Sequence, residues 1–175
     1  MIKYFCVLLT LLIAGVVLPF KGAAQEEKIV KIPSVKIYTI DGQNANSASF
    51  FNNGKPMIID FWATWCRPCI AELNAIADKY EYWQKETGVK IFLVSVDSAT
   101  PESHKVENFV KNKGWKYSVY LDPAGDLQKA MQVMDTPCTF VVDGNGDITW
   151  MHNSYNDGDE DKVFNALQQL KQKHK

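Results

Sequence analysis

Two cysteines separated by two residues stand where a predicted strand gives way to a predicted helix, and this spacing suits thiol–disulfide chemistry. Cys66 and Cys69 follow an apolar run at 56–62, and Pro68 between them is tolerated in the first turn of a helix. The unpaired N–H groups and the positive dipole of a helix N-terminus stabilise a thiolate, which is a nucleophile near neutral pH. The sequence therefore predicts a redox dithiol, with Cys66 as the more exposed attacking sulfur and Cys69 as the resolving sulfur.

The C-x-x-C pattern has two other interpretations, which are a half-site for zinc and a buried structural disulfide. A zinc site needs further Cys or His ligands, and the sequence offers no second pair at ligand spacing. We therefore expect no metal and no bound cofactor. A structural disulfide stays open as an interpretation, because it uses the same two residues.

Length and charge exclude other classes of protein. The 175 residues suit a single domain, and four cysteines are too few for a small fold built on disulfides. The formal net charge is −1, whereas a nucleic-acid-binding protein needs a clustered basic excess. We expect a monomer with no nucleic-acid partner.

The N-terminus is typical of an exported protein. Residues 1–24 predict a signal peptide, with Lys3 ahead of an apolar run at 4–20 and small residues before a cleavage point after Ala24. Cleavage would remove Cys6 and leave Cys66, Cys69 and Cys138 in a periplasmic or otherwise exported compartment, where disulfides form. The apolar run is at the short end of what spans a membrane, so an uncleaved N-terminal anchor facing the periplasm is the alternative.

The remaining chain predicts a polar leader at 25–34 and one α/β domain at 35–175. Its elements follow the order β-β-β-α-β-α-β-α-β-β-α, which predicts a central mixed sheet flanked by helices on both faces. A strand at 35–40 and a weaker strand at 47–51, joined through a turn at Asp41, predict an N-terminal β-hairpin extension. Helices are predicted from about residue 66 to Gly88, at about 102–113, at 125–133 and at 159–173.

Several short stretches resemble the exported TlpA-like and ResA-like thiol–disulfide oxidoreductases of the thioredoxin fold. The similarity covers about residues 33–173, and its motifs are Gly54-Lys55-Pro56, Phe61-Trp62-Ala63-Thr64-Trp65-Cys66-Arg67-Pro68-Cys69, Asp135-Thr136-Pro137 and Thr139-Phe140-Val141-Val142-Asp143-Gly144-Asn145-Gly146. The resemblance implies a thioredoxin-like fold and an enzyme that reduces protein disulfides, with a membrane-bound electron donor. Disulfide oxidation or isomerisation is the alternative, because direction follows from the reduction potential and the partners.

The resemblance also implies roles for residues around the dithiol. Pro137 matches the cis-proline of the family, whose loop packs beside the dithiol and presents backbone groups to a bound substrate. Asp60 matches the buried acid of thioredoxins and Glu72 an acid of ResA-like members, and both are expected to relay protons of Cys69. The expected substrate-binding residues are Trp65, Arg67, Pro68, Thr136 and Pro137.

The two acids and two further residues have competing interpretations. Asp60 also suits a hydrogen-bonded core carboxyl without a kinetic role, and Glu72 is favourable near any helix N-terminus. Arg67, the one arginine among 19 basic residues, either favours the thiolate and a more oxidising couple or stands there by chance. Cys138, directly after Pro137, is either a small buried residue on a central strand or a thiol that exchanges with the dithiol.

Two functions outside this class use the same fold, namely a thiol peroxidase and a non-catalytic peptide-binding module. The peroxidase pattern P-x-x-x-T-x-x-C would need proline and threonine where Ile59 and Ala63 stand. A binding module has no need for an intact dithiol. Both are therefore less well supported than the oxidoreductase.

Overall fold

A computed structural model describes residues 30–98 and 104–173 of the chain. Its strands are β1 (Val30–Lys31), β2 (Lys36–Thr39), β3 (Asn44–Asn46), β4 (Met57–Trp62), β5 (Lys90–Ser95), β6 (Ser118–Leu121), β7 (Cys138–Val142) and β8 (Asp147–Asn153). They form one mixed sheet in the order β1-β8-β7-β4-β5-β6-β2-β3. The predicted signal peptide at 1–24 and the first five residues of the predicted leader lie outside the described residues.

The strand that leads to the dithiol lies at the centre of this sheet. β4 pairs in parallel with β5 on one side and antiparallel with β7 on the other. All six of its residues are buried, because both faces of the sheet are covered at this position. The prediction of a strand buried on both faces is confirmed.

Four helices pack on the sheet, namely α1 (Arg67–Thr87), α2 (Lys105–Lys113), α3 (Asp126–Ala130) and α4 (Glu160–Lys173). α1 ends where Gly88 adopts a left-handed conformation (φ 70°) and donates its N–H to the carbonyl of Gln84 at 2.8 Å. α1, α2 and α4 contribute to one hydrophobic cluster, and α3 contributes to the other. None of the helices in the described ranges is long and apolar enough to cross a membrane.

The two clusters lie on opposite faces of the sheet, because side chains alternate along each strand. Ile58 and Trp62 of β4 pack in the cluster beneath α1, whereas Ile59 and Phe61 pack in the cluster beneath α3. Helices thus lie on both faces as predicted, but in the described part of the chain the α-helix on the second face has only five residues.

One prediction about the N-terminal part of the domain is wrong in detail. The hairpin forms between β2 and β3, with Ile37 opposite Ala45, so its second strand is at 44–46 and not at 47–51. Ser47–Ser49 is a 3₁₀ turn, because the Asn46 side chain accepts the N–H of Ala48 at 2.8 Å and caps it.

The predicted leader at 25–34 is in part a strand. Val30 pairs with Ile148 and Lys31 with Asp147 at the edge of β8. The Lys31 ammonium lies 2.6 Å from the Asp147 carboxylate. The described end of the leader therefore belongs to the sheet, although its polar composition gave no strand pattern.

Candidate active site

The two cysteines of the motif form a disulfide at the N-terminus of α1. Their Sγ atoms are 1.97 Å apart and their Cα atoms 5.3 Å apart. Cys66 is the N-cap residue, with an extended backbone, and its Sγ accepts the N–H of Cys69 at 3.2 Å. Pro68 follows in the first turn, where its missing N–H leaves no carbonyl unpaired. The predicted pairing and its place at a helix start are confirmed.

The two sulfurs differ in their access to solvent. Cys66 is 4% exposed and Cys69 is completely buried. In the reduced protein the N–H of Cys69 and the dipole of α1 would stabilise a Cys66 thiolate. An incoming sulfur can therefore approach Cys66, while Cys69 reacts only from inside the protein.

The loop before β7 approaches the disulfide. The Thr136–Pro137 peptide bond is cis, and the Thr136 carbonyl oxygen lies 3.6 Å from the Cys66 Sγ. Pro137 is buried, and its carbonyl accepts the N–H of Ser154 at 3.0 Å. A backbone acceptor thus stands directly beside the more accessible sulfur.

A groove of about 280 Å³ with mixed polar and apolar lining lies next to this loop. Its lining residues are Trp65, Val96, Gln128, Met134, Asp135 and Thr136. The side chains of Trp65 and Met134 are 66% and 86% exposed, which is unusual for large apolar groups. Arg67 and Pro68 are exposed on the first turn of α1 but do not line the groove. The sequence analysis did not identify Met134 as a site residue, although it stands only two residues before Thr136.

The two predicted acids meet on one hydroxyl group. Thr139 Oγ1 is 2.8 Å from Asp60 Oδ2 and 2.8 Å from Glu72 Oε1. Asp60 is fully buried, Glu72 and Thr139 are 1% exposed, and the second oxygen of each carboxyl has no hydrogen-bond partner in the described part of the chain. The fold brings the three together because Thr139 faces Asp60 across the β4–β7 ladder and Glu72 lies one turn beyond Cys69 on α1.

This environment raises the pKa of both carboxyls. Burial is the main cause at Asp60, where the charge of Glu72 adds to it and the Thr139 hydrogen bond acts in the opposite direction. Burial also raises the pKa of Glu72, against the Thr139 hydrogen bond and with a further increase from Asp159 and Glu160. The sequence analysis did not identify Thr139 as a site residue, because only the register of β7 against β4 makes it the partner of Asp60.

Cys138 packs on the opposite face of the sheet from the disulfide. It is buried in the cluster with Phe61 and Phe140, whereas Cys66 and Cys69 belong to the cluster beneath α1. Burial raises the pKa of its thiol to about 12, with smaller increases from the charges of Asp60 and Glu72. These observations favour a packing role over exchange with the dithiol.

Another buried acid, Asp97, anchors the segment before Cys66. Its Oδ2 accepts the N–H of Thr64 at 2.8 Å and its Oδ1 the Thr64 hydroxyl at 2.6 Å. The Ser95 hydroxyl and the Lys105 ammonium also donate to it, at 2.9 and 2.8 Å. The sequence signal for this residue is weak, since an acid after a buried strand is common at loop starts.

Within residues 30–98 and 104–173, no group of three or more His, Cys, Asp or Glu side chains is arranged to hold a metal ion.

Comparisons with known proteins agree with this geometry. The profile of the AhpC/TSA family matches residues 30–151. The sporulation thiol-disulfide oxidoreductase A of Bacillus subtilis is 32% identical over 140 residues, which cover 79% of this chain and 82% of that protein. ResA of Bacillus cereus is 29% identical over 150 residues, covering 82% and 83%. A thioredoxin-like protein from Porphyromonas gingivalis is 40% identical in a structural match with a TM-score of 0.71, covering 79% of this chain and 90% of that one.

Proposed function

Because this chain belongs to the AhpC/TSA family and is a thiol–disulfide oxidoreductase with a thioredoxin-like fold, we propose that it reduces disulfides of exported proteins. The observation that carries the proposal is the Cys66–Cys69 disulfide at the N-terminus of α1, with the Thr136 carbonyl beside the accessible sulfur. The relatives named as thiol-disulfide oxidoreductases support the chemistry. The proposed direction, reduction, follows from the resemblance to ResA-like proteins.

The reaction proceeds through two exchanges of sulfur partners. The Cys66 thiolate attacks one sulfur of the substrate disulfide, and the other sulfur leaves as a thiolate with the bonding electron pair. Cys69 then gives its proton to a buried carboxylate of the Asp60–Glu72 pair and attacks Cys66 Sγ. The second substrate sulfur leaves as a thiolate, both substrate thiolates take protons from water, and the enzyme is left oxidised.

The surface around Cys66 fits an extended, partly apolar segment of a protein. Trp65 and Met134 present large apolar side chains on the groove beside Thr136. The Thr136–Pro137 loop offers backbone groups to the same segment, and Arg67 and Pro68 are exposed on the first turn of α1. Protein thiols and disulfides are therefore the proposed substrates.

The proposed setting is the periplasm or another exported compartment. A signal peptide at 1–24 would bring the mature chain there, and an uncleaved segment would hold it at the membrane. A membrane-bound dithiol donor would return two electrons to the Cys66–Cys69 disulfide after each turnover. We propose that the enzyme acts as a monomer.

The decisive experiment measures the reduction potential of the Cys66–Cys69 couple together with the reduction of insulin. A potential near about −270 mV with insulin turnover is expected, as in thioredoxin. Cys66→Ser should abolish turnover, and Cys69→Ser should accumulate a mixed disulfide through Cys66, visible on non-reducing gels. Cys138→Ala is the matched control and should retain full turnover.

The same measurements can contradict the proposal in two ways. A potential near about −120 mV would indicate a disulfide donor instead of a reductase. Equal turnover by wild type and Cys66→Ser would overturn the enzymatic function at this dithiol.

A further inference from the structure

The strongest unexplained feature of the site is the single hydroxyl that serves two buried carboxyls. Thr139 Oγ1 is within hydrogen-bond distance of Asp60 Oδ2 and Glu72 Oε1, at 2.8 Å in each case. The remaining carboxyl oxygens, Asp60 Oδ1 and Glu72 Oε2, are buried without a hydrogen-bond partner in the described part of the chain. Thr139 is therefore the one side chain seen to bridge the two acids.

The number of hydrogens between Thr139 and the two carboxyls limits the protonation states that these contacts allow. A threonine hydroxyl carries one hydrogen and accepts through its lone pairs, whereas an ionised carboxylate only accepts. If both acids were ionised, Thr139 could donate to one of them, and the other contact would place a carboxylate oxygen against a hydroxyl oxygen with no hydrogen between. Both contacts are satisfied once at least one carboxyl is protonated and donates to Thr139, which can then donate to an ionised partner.

The surroundings of the pair oppose a second negative charge. Asp159 and Glu160, at the start of α4, act on Glu72 as further negative charges. Burial raises the pKa values of Tyr117 and Cys138, and the charge of Asp60 raises them further, so both groups stay neutral near neutral pH. Cys69, one turn before Glu72, carries no charge while it is in the disulfide.

We propose that Asp60 and Glu72 hold one proton between them near neutral pH, and that Thr139 is the positioning residue that keeps the second carboxyl ionised. Reversal of the two hydrogen bonds moves the proton from one acid to the other without any movement of heavy atoms. The ionised partner is then available as the base for Cys69, a consequence that rests on the proposed function. The shared proton itself does not depend on that function.

The test counts protonated carboxyls by infrared spectroscopy of the oxidised protein near neutral pH. Subtraction of the spectrum of the Asp60→Asn, Glu72→Gln double variant isolates the carbonyl band of the pair. Wild type should show one protonated carboxyl. Thr139→Val has nearly the same shape but no hydroxyl, so both acids lose the bond that favours their charged forms and the band should grow about two-fold.

Two control variants separate the hydroxyl from general effects of substitution. Thr139→Ser keeps the hydroxyl and should keep one protonated carboxyl. Thr149→Val removes a threonine hydroxyl from β8, where it donates to the Val141 carbonyl at 3.1 Å, and should also leave the band unchanged. Thr139→Val should lower the insulin-reduction rate about 10- to 100-fold, and Thr139→Ser should restore it, as expected for loss of a general base.

The proposal is overturned if the wild-type difference spectrum contains either no protonated carboxyl or two of them, a result that needs no Thr139 variant to fold. It is also overturned if folded Thr139→Val has the same band as wild type. Equal turnover by wild type and Cys66→Ser would instead overturn the reductase function and leave the proton count unaffected. The two failures are therefore distinguishable.

Discussion

Asp97 binds Thr64 twice, accepting its backbone N–H at 2.8 Å and its hydroxyl at 2.6 Å. Thr64 stands two residues before Cys66, in the turn that joins β4 to α1. The Asp97 carboxylate also binds Ser95 and Lys105, so it ties this turn to the end of β5 and the start of α2. One buried acid therefore fixes the approach of the chain to the reactive sulfur.

Asp97→Ala should destabilise the oxidised protein by about 2–4 kcal/mol, because it removes the acceptor of the buried Ser95 hydroxyl and of the partly buried N–H and hydroxyl of Thr64. Urea unfolding near neutral pH measures this change. Asp78→Ala, at an exposed position on α1, is the control and should change the free energy of unfolding by less than about 0.5 kcal/mol. Equal unfolding midpoints for the two variants would contradict the anchoring role of Asp97.

The buried pair of acids should make stability depend on pH. Burial raises the pKa of Asp60 and Glu72 above the value of about 4 that they have in the unfolded chain. Their contribution is complete below about pH 4 and is lost as pH rises through the raised folded values, because the folded state binds more protons there. The free energy of unfolding should therefore fall by about 1–3 kcal/mol between about pH 5 and pH 8.

Urea unfolding of the oxidised protein across this range measures the effect. The Asp60→Asn, Glu72→Gln double variant keeps every histidine and every other acid, so their contributions cancel in the comparison. Its stability should change less with pH than that of wild type. Parallel curves would show that the two acids ionise equally in the folded and unfolded states.

Cys138→Ala should leave the redox chemistry intact, because the sheet separates this thiol from the dithiol and burial raises the thiol pKa to about 12. The equilibrium constant with glutathione should change by less than about two-fold, which corresponds to about 10 mV. Loss of the buried sulfur should cost about 1 kcal/mol of stability. A slower exchange rate in this variant would revive the alternative that Cys138 takes part in exchange.

Arg67→Gln should lower the reduction potential by about 5–20 mV, because the variant loses a permanent positive charge beside the Cys66 thiolate. Arg67 is exposed, so high salt should reduce the difference. Lys85→Gln, in the last turn of the same helix, removes a charge of the same sign far from the sulfurs. A potential for Arg67→Gln equal to that of Lys85→Gln would show that Arg67 stands there by chance.

Local patterns in the sequence predicted most of the elements around the dithiol. The apolar run before Cys66, Pro68 in the first turn and Gly88 at the end of the helix defined β4 and α1 within about a residue. Local patterns failed at residues 47–51, where Asn46 caps a 3₁₀ turn. They also failed in the leader, where pairing with β8 forms a strand that the amino-acid composition does not predict. Local competition and tertiary pairing decided these two segments.

The residues of the candidate site were likewise predictable from the sequence only in part. Cys66, Cys69 and Pro137 follow from motifs, whereas Thr139 and Asp97 act through partners that lie many residues away in the chain. No spacing rule predicts that a threonine of β7 will stand between one acid of β4 and another of α1, because that contact depends on strand register and helix placement.

The sulfur cap of α1 has a consequence for how other proteins recognise this enzyme. Cys66 Sγ accepts the N–H of Cys69 in the disulfide, and a thiolate accepts the same N–H more strongly. The start of the helix is therefore capped in both redox states and has no reason to rearrange on reduction. The charge at this helix start then changes with redox state, which gives an electron donor and a substrate an electrostatic difference to recognise.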